Sequence, residues 1–127
     1  MKILLFIGIG GFAGAILRYL LNGYAHQWAR TSEFPYGTLL VNILGCLLIG
    51  FLTVLVDSHG TLTSESRAFL FVGLLGSLTT YSTFGNETVN LLRNGASTAA
   101  LLNVSIHLVM GLAAVWSGRL IAFIIWK

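Results

Sequence analysis

Four apolar stretches, each long enough to cross a bilayer and separated only by short polar breaks, constrain this chain more than any other feature. The hydrocarbon core of a membrane asks for about 20 apolar residues per helix. Residues 3–24 satisfy that, interrupted only by Arg18 and Asn22. A second stretch covers 37–56, with Asn42 as its one strongly polar member, a third covers 67–92, and a fourth covers 96–126. The fourth exceeds the need and is expected to tilt or to project beyond the membrane. Residues 25–36 hold Arg30, Glu33 and Pro35 and read as a loop. Residues 57–66 read as a second loop, with Ser64 expected to cap the next helix and Glu65 in its first turn. Arg93-Asn94-Gly95 is the tightest turn signal. Backbone polar groups in lipid must be satisfied inside their own segment, so the expected fold is all-α. It is a single four-span transmembrane domain over residues 1–127.

Composition enters as the check on that reading. Apolar residues make up 56% of the chain and charged residues only 9%, with a mean hydropathy of +0.87. A soluble domain usually carries about 25% charged residues to wet its surface. One Cys excludes a disulfide scaffold and a Cys-based metal cluster. The net charge of +3 comes from basic residues scattered singly, so nucleic acid is not an expected partner. No small-residue cleavage site follows the first stretch, which is expected to be a retained span.

Glycine is abundant, at 15 residues, and much of it lies inside the spans. Gly10 and Gly14 form a GxxxG pair, and Gly45, Gly50, Gly73, Gly76, Gly111 and Gly118 recur in the other spans. Small residues let helix backbones approach closely where burial gives no net drive. The pattern suggests a tight bundle that assembles further. An even span number puts both termini on one side, with Lys2, Arg67, Arg119 and Lys127 there and Arg18, Arg30 and Arg93 opposite. That bias is too small to fix an orientation. A chain that inserts both ways forms an antiparallel homodimer with an in-plane two-fold axis, the two-chain analogue of inverted repeats.

Gly8-x-Gly10-x-x-Ala13, with Glu33 further on, mimics a dinucleotide fingerprint. No βαβ unit accompanies it, and close helix packing explains the glycines better. Arg18 either snorkels to the interface or draws anions into a vestibule. Asn42 either bonds a neighbouring helix or points N–H donors into a pore. From Ser77 to Thr83, only Leu78 lacks a hydroxyl, and Gly76 and Gly85 bracket the run. Thr is a modest helix former, so this run invites a break in the third helix. Broken backbone at membrane depth is tolerated only when buried in protein or lining a wet cavity. Freed carbonyls there can coordinate a cation, while hydroxyls and ring edges can meet an anion. Glu87 reads as an ordinary interfacial acid. Asn103 and His107 are four apart and share a face, and His107 is a possible proton carrier or a bonded neighbour. No carboxylate pair, nucleophile–base set or metal-ligand cluster appears, so no enzyme is expected.

The segments Gly37-Thr38-Leu39-Leu40-Val41-Asn42-Ile43-Leu44-Gly45 and Thr79-Thr80-Tyr81-Ser82-Thr83-Phe84 resemble the Fluc, or CrcB, family of fluoride channels. The segment from Gly11 to Tyr19, Gly-Phe-Ala-Gly-Ala-Ile-Leu-Arg-Tyr, is similar to that family's first-span signature. The resemblance covers essentially the whole chain. It implies a dual-topology homodimer in the inner (plasma) membrane, with two fluoride pores and a structural Na⁺ on the two-fold axis. It places the pore amide on Asn42, the pore aromatics on Tyr81 and Phe84, and the Na⁺ on backbone carbonyls of Gly76 and Thr79. Ser82, Thr83, Asn103 and His107 complete the candidate pore lining, with Arg18 in the vestibule. Tyr81 departs from the family's usual Phe. Asn103 and His107 stand where the family commonly has Tyr and Ser.

The chemistry agrees with an anion path. Fluoride is small and strongly hydrated, so a selective route must replace water with donors. Asn amides and Ser/Thr hydroxyls are such donors, and aromatic edges carry partial positive charge. A path without a full cation binds weakly enough to release its ion. The alternative of the same size is a four-helix proton-coupled drug antiporter. It needs a membrane-embedded carboxylate, which span one lacks; Glu87 is the one candidate.

Overall fold

The computed structural model describes residues 1–28, 34–59 and 62–125. Arg30, Glu33, Trp126 and Lys127, used above for loop, span and charge, lie outside them. Helix α1 (Lys2–Trp28) is followed by α2 (Tyr36–His59). The third span starts as α3 (Ser64–Arg67), widens into a π-helical segment (Ala68–Leu75), and tightens again as α4 (Gly76–Leu78). After Thr79 and Thr80 it resumes as α5 (Tyr81–Arg93), and α6 (Ser97–Ile125) closes the fold. The described residues are all-helical, without a strand. Four stretches are long and apolar enough to cross a membrane: Lys2–Trp28, Tyr36–Asp57, Ser64–Arg93 and Ser97–Ile125. This is the architecture of a multi-pass membrane protein.

Several boundaries differ from the sequence expectation: α2 runs on to His59 rather than ending at 56, and the third span is helical from Ser64 rather than from 67. Helix α1 runs past residue 24 to Trp28, because Ala25-His26-Gln27-Trp28 contains no breaker. The cap of the third span is Thr63, not Ser64: the Thr63 hydroxyl accepts from Ser66 N–H at 3.2 Å. Ser64 is already helical, while Glu65 holds its expected first-turn place. The Arg93-Asn94-Gly95 turn behaves as its residues demand. Gly95 has φ +78°, which costs glycine nothing. Ala96 N–H then donates to Leu91 O at 2.9 Å and Gly95 N–H to Leu92 O at 3.1 Å, the paired closure of a Schellman cap.

Glycines set the helix crossings. Helix α1 lies against the π-helical segment, and α2 lies along α6. A Cβ on Gly73 would sit 2.7 Å from Ile7 O and 2.9 Å from Gly10 Cα. The backbones themselves are therefore in contact there, as the GxxxG pair led one to expect. Gly50 and Gly118 serve the α2–α6 crossing in the same way, facing the carbonyls of Val115 and Leu47. The small apolar core, Val41, Leu75 and Leu78, sits beside the interruption of the third span. Many large apolar side chains point outward, as lipid contact requires.

Candidate functional site

The site is built on the two residues where the third span stops being a helix. Thr79 (φ −85°, ψ 157°) and Thr80 (φ −152°, ψ 111°) are extended. The peptide group of Thr80, opened out of the helix, is held from span two by a single side chain. Thr80 N–H donates to Asn42 Oδ1 at 2.8 Å, and Asn42 Nδ2 donates to Thr80 O at 3.2 Å. Thr80 is only 9% exposed, so water cannot take over either bond. Its hydroxyl then caps α5 by accepting from Thr83 N–H at 3.2 Å.

These bonds redirect two donors. In a continuous helix Thr80 N–H would reach Gly76 O and Thr83 N–H would reach Thr79 O. Both are engaged elsewhere, so the Gly76 and Thr79 carbonyls lose their usual helix partners. Those are the carbonyls that the family resemblance assigned to a cation, and backbone carbonyl oxygens are among the donors that hard cations take.

An open cavity of about 300 Å³ gathers Asn42, Gly45, Cys46, Phe71, Gly76, Thr79 and Tyr81. Four sequence-predicted residues, Asn42, Gly76, Thr79 and Tyr81, thus meet at one place. Phe84, Asn103 and His107 form a second group between α5 and α6. The Tyr81 and Phe84 rings join the groups, with centroids 5.6 Å apart and planes at 45°. Phe84 in turn lies 4.5 Å from the His107 ring at 46°. Asn103 is fully buried and donates to Thr88 Oγ1 at 2.9 Å, and Thr88 donates to Phe84 O at 2.8 Å.

The other predicted residues stand apart. Ser82 and Thr83 belong to the cap, with hydroxyls 3.4 Å and 2.8 Å from Thr80 Oγ1. Arg18 is half-buried on α1 and lines neither group. A larger apolar cavity of about 780 Å³, bordered by Tyr24, Trp28, Tyr36 and Met110, holds none of the predicted residues.

Sequence reasoning missed two participants. Thr80 was lost inside the hydroxyl run, although its spacing to Thr83 is the pattern of a cap. Glu87 is not an ordinary interfacial acid: it is half-buried and accepts from the buried Thr38 hydroxyl at 2.7 Å. Its second oxygen, Oε2, is buried without a partner among the described residues. No feature of the sequence placed Thr38 opposite Glu87, which are 49 residues apart.

Comparison with known proteins follows the same lines. The family model described as "CrcB-like protein, Camphor Resistance (CrcB)" matches residues 5–119. A fluoride-specific ion channel FluC of Clostridium perfringens (strain 13 / Type A) is 42% identical over 122 residues, spanning 96% of this chain and 94% of that protein. A protein of the same description from Shewanella woodyi is 42% identical over 123 residues, 97% of this chain and 98% of its own length. A third, from Methylococcus capsulatus, is 42% identical over 116 residues, and the chain spans only 50% of that longer relative.

Proposed function

The chain belongs to the CrcB family, and on that premise we propose that it is a passive fluoride-selective channel of the plasma membrane, exporting fluoride from the cytoplasm. Fluoride that enters as neutral HF dissociates inside and leaves through the protein as the ion. The observation that carries this reading is the meeting of the two motif segments in space. Asn42 of the second span holds the opened peptide of Thr80 in the third. The relatives' description as fluoride-specific channels supports the substrate.

The residues supply what a dehydrating fluoride needs. An amide has two N–H groups, and Thr80 O takes one from Asn42, leaving the other as a donor for the ion. Tyr81 is 84% exposed on the single chain and presents its ring to the cavity, next to Phe84. Ring edges offer positive potential without the trapping strength of a permanent charge. Helix α5 is held in place by the Thr80 cap, so its rings are preset rather than gathered around the ion. The Ser82 and Thr83 hydroxyls add donors at its first turn, and Arg18 draws anions towards the vestibule.

The working unit is an antiparallel homodimer of oppositely inserted copies, with the broken third spans facing each other at the two-fold axis. There the Gly76 and Thr79 carbonyls of both copies would hold Na⁺, which supplies structural charge compensation. Gly76 is exposed and Thr79 half-exposed on the single chain, as an axis site requires. The protein moves an ion and performs no chemistry on it. The antiporter alternative finds no support among the relatives, and Glu87 belongs to the contact between spans two and three.

The test is fluoride efflux from liposomes holding only this protein, with chloride as the control. Fluoride efflux that outpaces chloride and needs no proton gradient is the expected result. Absent flux, or strict exchange of a drug cation for protons, overturns the reading.

A further inference from the structure

Between α5 and α6, two buried acceptors lack donors. His107 Nδ1 lies 2.9 Å from Asn103 O, one turn back on its own helix. A carbonyl only accepts, so Nδ1 carries the proton of the neutral ring. Nε2 is then a bare lone pair, and it is buried with no partner among the described residues. Asn103 is fully buried, its amide N–H₂ faces Thr88, and its Oδ1 is likewise without a partner. The pair stands beside Phe84, whose ring touches that of His107. With His107 neutral, this stretch of the candidate path presents lone pairs to an anion.

We propose that His107 is a proton-dependent fluoride ligand: a proton taken from the vestibule onto Nε2 turns the bare acceptor into a donor, and fluoride passes Phe84 only then. This deepens the channel reading above and rests on it. Protonation leaves the Nδ1–H bond to Asn103 O unchanged, so the ring keeps its place. Binding is reciprocal: fluoride at Nε2 must raise the proton affinity of His107 by the factor by which the proton raises fluoride affinity. A channel of this kind opens most in acid, when HF entry loads the cell with fluoride.

Other ionisable groups do not replace it. Among the described residues, helix α6 packs only on α2 and α5. From α5, Tyr81 stands behind Phe84, and Glu87 is bonded to Thr38. From α2, Cys46 lies beside Gly111, one turn beyond His107. Neither Tyr nor Cys ordinarily changes charge in the acid-to-neutral range, whereas imidazole does.

The experiment measures fluoride efflux from liposomes with equal pH on both sides, from about pH 5.5 to about pH 8.5, spanning the range in which histidine titrates. Leak from protein-free liposomes is subtracted at each pH, and chloride is run alongside. The parent chain should lose flux by about tenfold per pH unit on the alkaline limb. His107→Gln, which offers an N–H at every pH, should conduct with a flat profile. His107→Phe keeps a ring against Phe84 but no donor, and should be flat and low. In ¹⁵N-histidine-labelled protein, fluoride addition should protonate His107 Nε2 at a pH where it is otherwise bare. Strong parental efflux with a flat profile overturns this proposal alone. So does a parental slope retained in His107→Gln, or one abolished only by Glu87→Gln. No parental fluoride efflux at any pH overturns the channel reading and this proposal with it.

Discussion

Replacing Asn42 by Ala removes the side chain that holds the third span open, and the cost follows from its two bonds. Thr80 N–H loses its partner 2.8 Å away, while Thr80 O loses the Asn42 amide at 3.2 Å but, as the N-cap carbonyl of α5, keeps the N–H of Phe84. A buried peptide group left unpaired costs about 1–3 kcal/mol. The N–H is the orphan for as long as Thr79 and Thr80 stay extended. A loss of about 2 kcal/mol results, the middle of the range for one orphaned donor. At about 4 °C per kcal/mol for a chain of this length, the unfolding midpoint in detergent should fall by about 8 °C. Amide exchange at Thr80 should accelerate by about 30-fold, the same energy expressed as local opening. Fluoride efflux should vanish with it. Asn42→Asp separates the two roles: the carboxylate still accepts from Thr80 N–H, so the dimer should persist on a sizing column. A charge at that depth beside a passing anion should nonetheless abolish flux. An Asn42→Ala protein with unchanged midpoint, unchanged Thr80 exchange and normal efflux would refute the argument at every step.

Other outcomes can be checked alongside. Phe84→Ile fills similar space without a positive ring edge, and liposome efflux should drop by more than about tenfold while assembly survives. Tyr81→Phe should conduct at least as fast as the parent, with fluoride still preferred over chloride; lost flux would make the hydroxyl a required ligand. Gly73→Val drives a side chain into Ile7 O and Gly10 and should prevent folding, whereas Gly8→Ala meets nothing within 4 Å and should leave the melting midpoint at or above the parent's. Reporter fusions at the C-terminus should signal from both sides of the membrane, since the basic residues are nearly balanced; one uniform orientation would contradict dual topology.

Much of this was legible because the membrane makes some signals loud. Span length, the Gly95 turn and the glycine crossings each follow from a rule that lipid enforces locally. Boundaries were less legible, because Thr63 and Ser64 are both competent caps and only the direction of chain entry chooses between them. The π-helical stretch Ala68–Leu75 left no trace, since a purely apolar run does not reveal which carbonyl each N–H will choose. Gly76 N–H reaches back to Phe71 O, a choice made by the packing of α1 on this segment. The site was half visible. Asn42 and the hydroxyl run stood out as polar groups in an apolar field, but their mutual bond spans 38 residues. The Thr38–Glu87 contact was invisible for the same reason, because no local period links positions on different helices.

The bond between Asn42 and Thr80 also has a consequence for biogenesis. Synthesis delivers the second span to the membrane before the third exists. While the third span enters alone, the cheapest state for Thr80 in lipid is a continuous helix, its N–H turned back to Gly76. Asn42 must then displace that bond after insertion, when the two spans have met. The opened segment is therefore a product of assembly rather than of translocation. A nascent chain arrested after the third span, with the fourth still in the ribosome, should already be able to make the exchange, because both partners lie upstream of Gly95.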